Sequence, residues 1–188
     1  MKRVSSIIAV GVVLLFGVLL IEGVCGDLNM GLSYMPSGHS EGRYDHRCVN
    51  DGMGVDVGYD WEPLSYDLYK YLGVSLRMGG LLTYMNYETA HRDTSKSPES
   101  DQRRESSVTL LGVAKPTLDI GIVKPYLMFG VGPDYMESRD FDIGYLKHGY
   151  GVDVELGDKY SFGISTRELW RQDNSWYRVH TATFTISF

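Results

Sequence analysis

Apolar and polar residues take turns along most of this chain. The alternation is cleanest in the last stretch, 176–188. There Ala182, Phe184, Ile186 and Phe188 are apolar, and Thr181, Thr183, Thr185 and Ser187 between them are small and polar. Period-two alternation marks a strand with two unlike faces. Further strands follow from the same pattern. Residues 28–34 set Leu28, Met30, Leu32 and Tyr34 against Asn29, Gly31 and Ser33. Residues 53–61 set Val55, Val57, Tyr59 and Trp61 against Asp56, Gly58 and Asp60. A strand over 68–87 carries Leu72, Val74, Leu76 and Met78 opposite Tyr71, Gly73, Ser75 and Arg77, with a bulge expected at Gly79-Gly80. Residues 108–118 form a strand whose facing the pattern leaves open. In 123–135, Leu127, Phe129 and Val131 oppose Tyr126, Met128, Gly130 and Gly132. In 145–156 the outward set reads Leu146, His148, Tyr150, Val152 and Val154; the inward set reads Lys147, Gly149, Gly151, Asp153 and Glu155. Residues 160–167 complete the set, with Tyr160, Phe162 and Ile164 opposite Ser161, Gly163 and Ser165.

The connections have a rhythm. They are long at 36–51, 89–106 and 136–144, and short at 62–65, 119–121 and 157–159. The connection at 169–175 is intermediate. An even number of strands with long loops at one end and short turns at the other is the pattern of a membrane barrel. The expected fold is all-β, an eight-stranded antiparallel transmembrane up-and-down β-barrel. A secreted sandwich or lipocalin-like barrel is the rival, and an immunoglobulin-like sandwich lacks this rhythm.

The N-terminus reads as an export leader. Lys2 and Arg3 are basic, 7–21 is an almost unbroken apolar run, and Gly23, Val24 and Gly26 are small. The run is shorter than the roughly 20 residues of a spanning helix. Cys25 keeps a lipoprotein reading open, although Glu22 and Val24 depart from that motif. The expected division is a signal peptide over 1–26 and a barrel domain over 27–188. With cleavage after Gly26, Cys48 stands alone. With cleavage after Gly23, a Cys25–Cys48 disulfide becomes possible in an oxidising compartment.

Composition narrows the classes. The formal charge is −6, without a basic run, which argues against a nucleic-acid partner. Beyond Ile21 no segment is apolar enough for a transmembrane helix, yet a barrel needs only alternate apolar residues. Gly suits a crowded barrel interior and Tyr suits interface girdles.

The eight strands, the leader, the terminal Phe188 and the run Lys124-Pro125-Tyr126-Leu127-Met128-Phe129-Gly130-Val131-Gly132 together resemble the small bacterial outer-membrane barrels of the OmpA/OmpX type. The resemblance covers the whole mature chain. It implies an outer-membrane location, a monomer, insertion by the barrel-assembly machinery, and contact with outer-membrane lipid and lipopolysaccharide. An external partner at the loops is a further expectation. No cofactor is implied. The same run continued through Pro133-Asp134-Tyr135 is similar to the outer-membrane lipid A deacylases. Those enzymes carry a His-x-Ser pair near the C-terminus with a carboxylate nearby. Here 168–175 contains none, and two residues beyond His180 stands Ala182. The expected role is therefore structural or surface-interactive rather than enzymatic. A deacylase-like hydrolase and a small pore are the alternatives.

Three groups of side chains carry candidate chemistry. Asp56, Asp60, Arg77, Lys147, Asp153, Glu155 and Arg167 fall on inward faces. An eight-stranded barrel holds little more than its own side chains, and buried charges must pair. These residues are expected to form a lumen charge network that plugs the barrel, with a channel or proton path as the rival. Ala182, Phe184, Ile186 and Phe188 form the lipid-facing side of the closing strand. Arg178 and His180 share that side. At about 3.3 Å per residue and roughly 40° tilt, Arg178 stands about 25 Å above Phe188, at the headgroup level where lipid A phosphates sit. His39 and His46 lie with Asp45 and Asp51 in one loop, but their spacing matches no strong metal motif.

Overall fold

A computed structural model describes residues 26–41, 46–91, 103–137, 139–172 and 174–188. Residues 1–25, all but the last of the expected leader 1–26, lie outside the described residues, and so do 42–45, 92–102, 138 and 173. Among the described residues the chain forms strands β1 (Asp27–Glu41), β2 (His46–Tyr69), β3 (Leu72–His91), β4 (Arg103–Ile120), β5 (Val123–Leu127), β6 (Phe129–Met136), β7 (Arg139–Glu155), β8 (Tyr160–Arg171) and β9 (Trp176–Ser187). β5 and β6 are two halves of one crossing, interrupted at Met128, whose N–H donates to the Gly149 carbonyl at 2.8 Å. Gly149 has to be small there: a Cβ on it would lie 2.8 Å from the Met128 carbonyl oxygen.

Each crossing pairs antiparallel with its neighbours in chain order, and β9 returns to pair with β1 from Asp27↔Ser187 to His39↔Trp176. The sheet is a closed eight-crossing ring. Its two faces meet different surroundings, which is why period two dominates the sequence. Outward positions hold Leu32, Met53, Val55, Leu127, Phe129, Val131 and Ile164, all well exposed. Inward positions hold the packed core, with Met35, Met85, Leu111, Met128, Leu169 and Val179 buried together.

Several sequence-based boundaries shift. The segment 62–65, expected as a turn, is part of β2; the turn comes at Lys70 and Tyr71. A register shift between Trp61 and Leu64 takes up the irregularity. Gly79 and Gly80 carry no bulge; they pair in register with Asp60 and Tyr59 on one side and with Val113 and Gly112 on the other. The strands also run further into the expected long loops, β1 to Glu41 and β8 to Arg171. β4 acquires a definite facing, with Thr109, Leu111, Val113, Lys115 and Thr117 all buried on the inward side.

The largest correction concerns Lys147. Leu146 pairs with Leu169 and His148 with Glu168, so Lys147 is the extra residue of a bulge in β7. An extra residue reverses the facing of everything beyond it. Gly149, Gly151, Asp153 and Glu155 keep their expected inward side, but Leu146 turns in and is buried. Lys147 lies outside, its ammonium 3.9 Å from the Trp170 ring centroid. It takes no part in the lumen charge network.

Candidate functional site

The inward polar residues form tiers of matched charge. The most complete centres on Asp56. Arg167 grips it with two donors, Nη2 to Oδ1 at 2.7 Å and Nη1 to Oδ2 at 2.9 Å. Ser33 donates to Oδ2 at 2.6 Å and Thr181 at 2.9 Å. Arg167 Nη2 also donates to Thr83 Oγ1 at 2.9 Å. The cluster draws on β1, β2, β3, β8 and β9 and is almost fully buried. A bidentate, multiply bonded pair is the kind that tolerates burial.

Towards the short-turn end, Arg77 donates to Asp153 at 2.9 Å, and Lys115 pairs with Asp60, which also accepts from Asn29 at 2.9 Å. At the mouth, Lys124 meets Glu155 at 2.6 Å and Asp119 at 3.6 Å. Towards the long-loop end, Arg171 donates to Asp134 at 2.6 Å and lies 3.5 Å from Asp142; Tyr177 and Thr109 also donate to Asp134. The apolar cluster around Leu111, Met128 and Leu169 lies among these tiers. A cavity of about 30 Å³ beside Asp56, Lys115 and Arg167 is room for about one water. Of the residues expected in the lumen, Asp56, Asp60, Arg77, Asp153, Glu155 and Arg167 are brought together, each against a specific partner. Lys115 and Lys124 complete the pairs of Asp60 and Glu155, Asp134 and Arg171 pair with each other, and none of the four was among the expected residues. Asp134 and Arg171 merely continue the inward alternation past Gly132 and Arg167.

The outer wall over β7, β8, β9 and β1 is ordered in rows across the strands, set by the register. Tyr145, Trp170 and Trp176 form the highest, with the two indoles stacked at 6.3 Å. Next come His148, Glu168 and Arg178, then Tyr150, Thr166, His180 and Tyr34. Below them lie Val152, Ile164, Ala182 and Leu32, then Val154, Phe162, Phe184 and Met30. Ala182, Phe184 and Phe188 are exposed on this wall and Ile186 is half-buried. Arg178 is not a free cation: its Nη2 donates to Glu168 Oε2 at 3.0 Å, and Glu168 also accepts from Trp170 Nε1 at 2.7 Å. His180 Nδ1 lies 2.8 Å from Thr166 Oγ1 on the neighbouring strand. No short-range spacing reveals that pair, because its members meet only across strands.

Among the described residues no group of three His, Cys, Asp or Glu side chains is placed to hold a metal. The side chains of His39, His46 and Cys48 lie outside the described set, as does Cys25.

A closed eight-crossing ring with an apolar wall and a filled, charge-paired interior is the fold of a small outer-membrane β-barrel. Solved structures bear this out. The chain is similar to the outer membrane enzyme PagL, at 11% identity over 86% of this chain and 99% of that one, with a TM-score of 0.51. It is also similar to Neisserial surface protein A, NspA, at 14% identity over 87% of this chain and 97% of that one, with a TM-score of 0.52. No protein-family model matches the chain, and no curated protein does either.

Proposed function

We propose that this chain is a monomeric outer-membrane barrel with a plugged lumen, acting structurally or through its surface. The leader over 1–26 directs export, and Phe188 closes the strand that the assembly machinery reads. The long-loop end and the wall around Arg178 and His180 meet lipopolysaccharide or an external partner. One observation carries the reading: the lumen charges are paired with one another, Arg167 on Asp56 foremost. A conducting pore needs lining groups free to meet water and ions. Pure protein in planar bilayers is therefore expected to give no steady single-channel current. Large, stable openings would return the small pore to first place.

A second reading, an acyl-ester hydrolase, is favoured by the Thr166–His180 hydrogen bond. A hydroxyl beside an imidazole is the core of a nucleophilic site. The group needed to orient the base is the weak point. Glu168 shares the outer face, but its carboxylate is engaged by Trp170 and Arg178. Lipid A from cells expressing the protein is expected to keep its full mass. Loss of an acyl chain that disappears in Thr166→Val and His180→Ala would establish the hydrolase instead.

A further inference from the structure

A groove of about 650 Å³ lies on the outer wall, over the row that contains Ala182. We propose that it holds one acyl chain of a lipid A molecule, with that chain's ester carbonyl hydrogen-bonded at the Thr166–His180 pair. The inference rests on the lipopolysaccharide contact proposed above. It adds which part of the lipid is held, where, and by which donor.

The groove's shape follows from one small residue. Ala182 stands between Ile164 and Leu32, which are 57% and 71% exposed and form its banks. Its floor is backbone, at Gly151, Ser165 and Thr181, whose facing is inward. Tyr34 and Tyr150 flank the upper end, and Tyr34 is fixed by donating to Asp51 at 2.7 Å. The volume falls within the usual range for a small-ligand site, about 300–1,000 Å³.

The chemistry at the upper end is specific. A neutral imidazole has one donor and one acceptor, and a hydroxyl has one donor. If Thr166 donates to Nδ1, the Nε2–H is left over. If Nδ1–H donates instead, the Thr166 hydroxyl is left over. Either tautomer leaves one donor, and no second hydrogen-bond partner of either side chain is found among the described residues. An unfilled donor facing hydrocarbon is costly, and one ester carbonyl removes the cost.

The depth order agrees. From the Trp170–Trp176 stack downward, the wall offers the Lys147 ammonium and the Glu168–Arg178 ion pair, then the Thr166–His180 pair, then hydrocarbon at Ala182, Ile164 and Phe184. A lipid presents headgroup charge, ester and chain in the same sequence. Successive rows are about 5 Å apart at two residues per row and roughly 40° tilt. Glu168 offsets Arg178, so the surplus positive charge above the pair is that of Lys147, and it favours a phosphorylated lipid over a zwitterionic one.

The test is native mass spectrometry of folded protein released from detergent micelles. The probes are hexa-acyl lipid A, a diacyl phosphatidylethanolamine and its dialkyl-ether analogue. Wild type is expected to retain lipid A in preference to both phospholipids, and the ester phospholipid over its ether analogue. Ala182→Trp fills the groove and should lower lipid A retention about tenfold, and Thr166→Val, which removes the hydroxyl at nearly constant shape, about fivefold. Leu118→Trp, on the outer face of β4 beside Val74 of β3 and away from the groove, should leave retention unchanged. Heat-modifiable gel migration checks that each variant is folded; should Ala182→Trp not fold, Thr166→Val decides alone. Equal retention by wild type and the groove variants overturns the inference, as does preference for phosphatidylethanolamine. Arg178→Ala reads the underlying proposal separately. Lipid A loss in Arg178→Ala without loss in the groove variants ends the groove alone, whereas a wild type that binds no lipid A ends both.

Discussion

Arg167→Ala should destabilise the folded barrel by about 3–5 kcal/mol, the cost of stranding a buried charge. Asp56 would be left with hydroxyl donors such as Ser33 and Thr181 and no cation, inside an interior with little room for water. Urea titration in phospholipid vesicles, followed by the shift between folded and unfolded gel bands, gives the number. The decisive control is Arg167→Met combined with Asp56→Leu. That pair leaves no unmatched charge, and apolar replacements of a buried ion pair are often neutral. The double variant should therefore recover most of the loss. A cost below about 1 kcal/mol for Arg167→Ala would be that of a solvated surface pair, and the plug would not be a plug.

The second large effect is expected on the opposite face of the same wall. Phe184 lies four residues from both His180 and Phe188, about 10 Å along the barrel axis from each. That is the middle of the apolar band. Phe184→Arg should cost about 2–4 kcal/mol in vesicles, the penalty for a cation at the midplane of a barrel's lipid face. Thr183→Arg points inward and escapes that penalty, meeting the lumen side chains instead. Single tryptophans placed at 184 and 183 separate the two faces. Brominated lipid should quench the first strongly and the second weakly, and equal quenching would mean that the facing is wrong.

Much of the fold is legible because each crossing separates two kinds of surroundings. The facing of β8 and β9 follows directly from Ile164, Ala182, Phe184 and Ile186 against Ser165, Thr181, Thr183 and Thr185. Legibility fails where the backbone departs from period two. The bulge at Lys147 has no Gly or Pro to mark it, so Leu146 and Lys147 exchange sides unannounced. β4 hides its facing for another reason: Leu110 and Leu111, then Val113 and Ala114, put apolar residues on both faces, and Lys115 stays unseen between them. The lumen residues are legible as a set, but not as couples. Periodicity says that Asp56 and Arg167 both point inward; only strand register and stagger say that they meet. The Thr166–His180 pair lies beyond periodicity altogether, since its partners are on different strands.

The cluster around Asp56 straddles the place where the ring closes. Ser33 is on the first strand and Thr181 on the last, 148 positions apart, and their hydroxyls lie 2.8 Å from each other. Contacts so distant in sequence are entropically slow to make, and these cannot exist until the two ends of the chain have come together. They act as a clasp fastened after the hoop has closed. Interactions absent from the transition state govern how quickly a structure comes apart, not how quickly it is made. Loosening the cluster, as in Ser33→Ala, is thus expected to shorten the lifetime of the finished barrel more than it slows assembly.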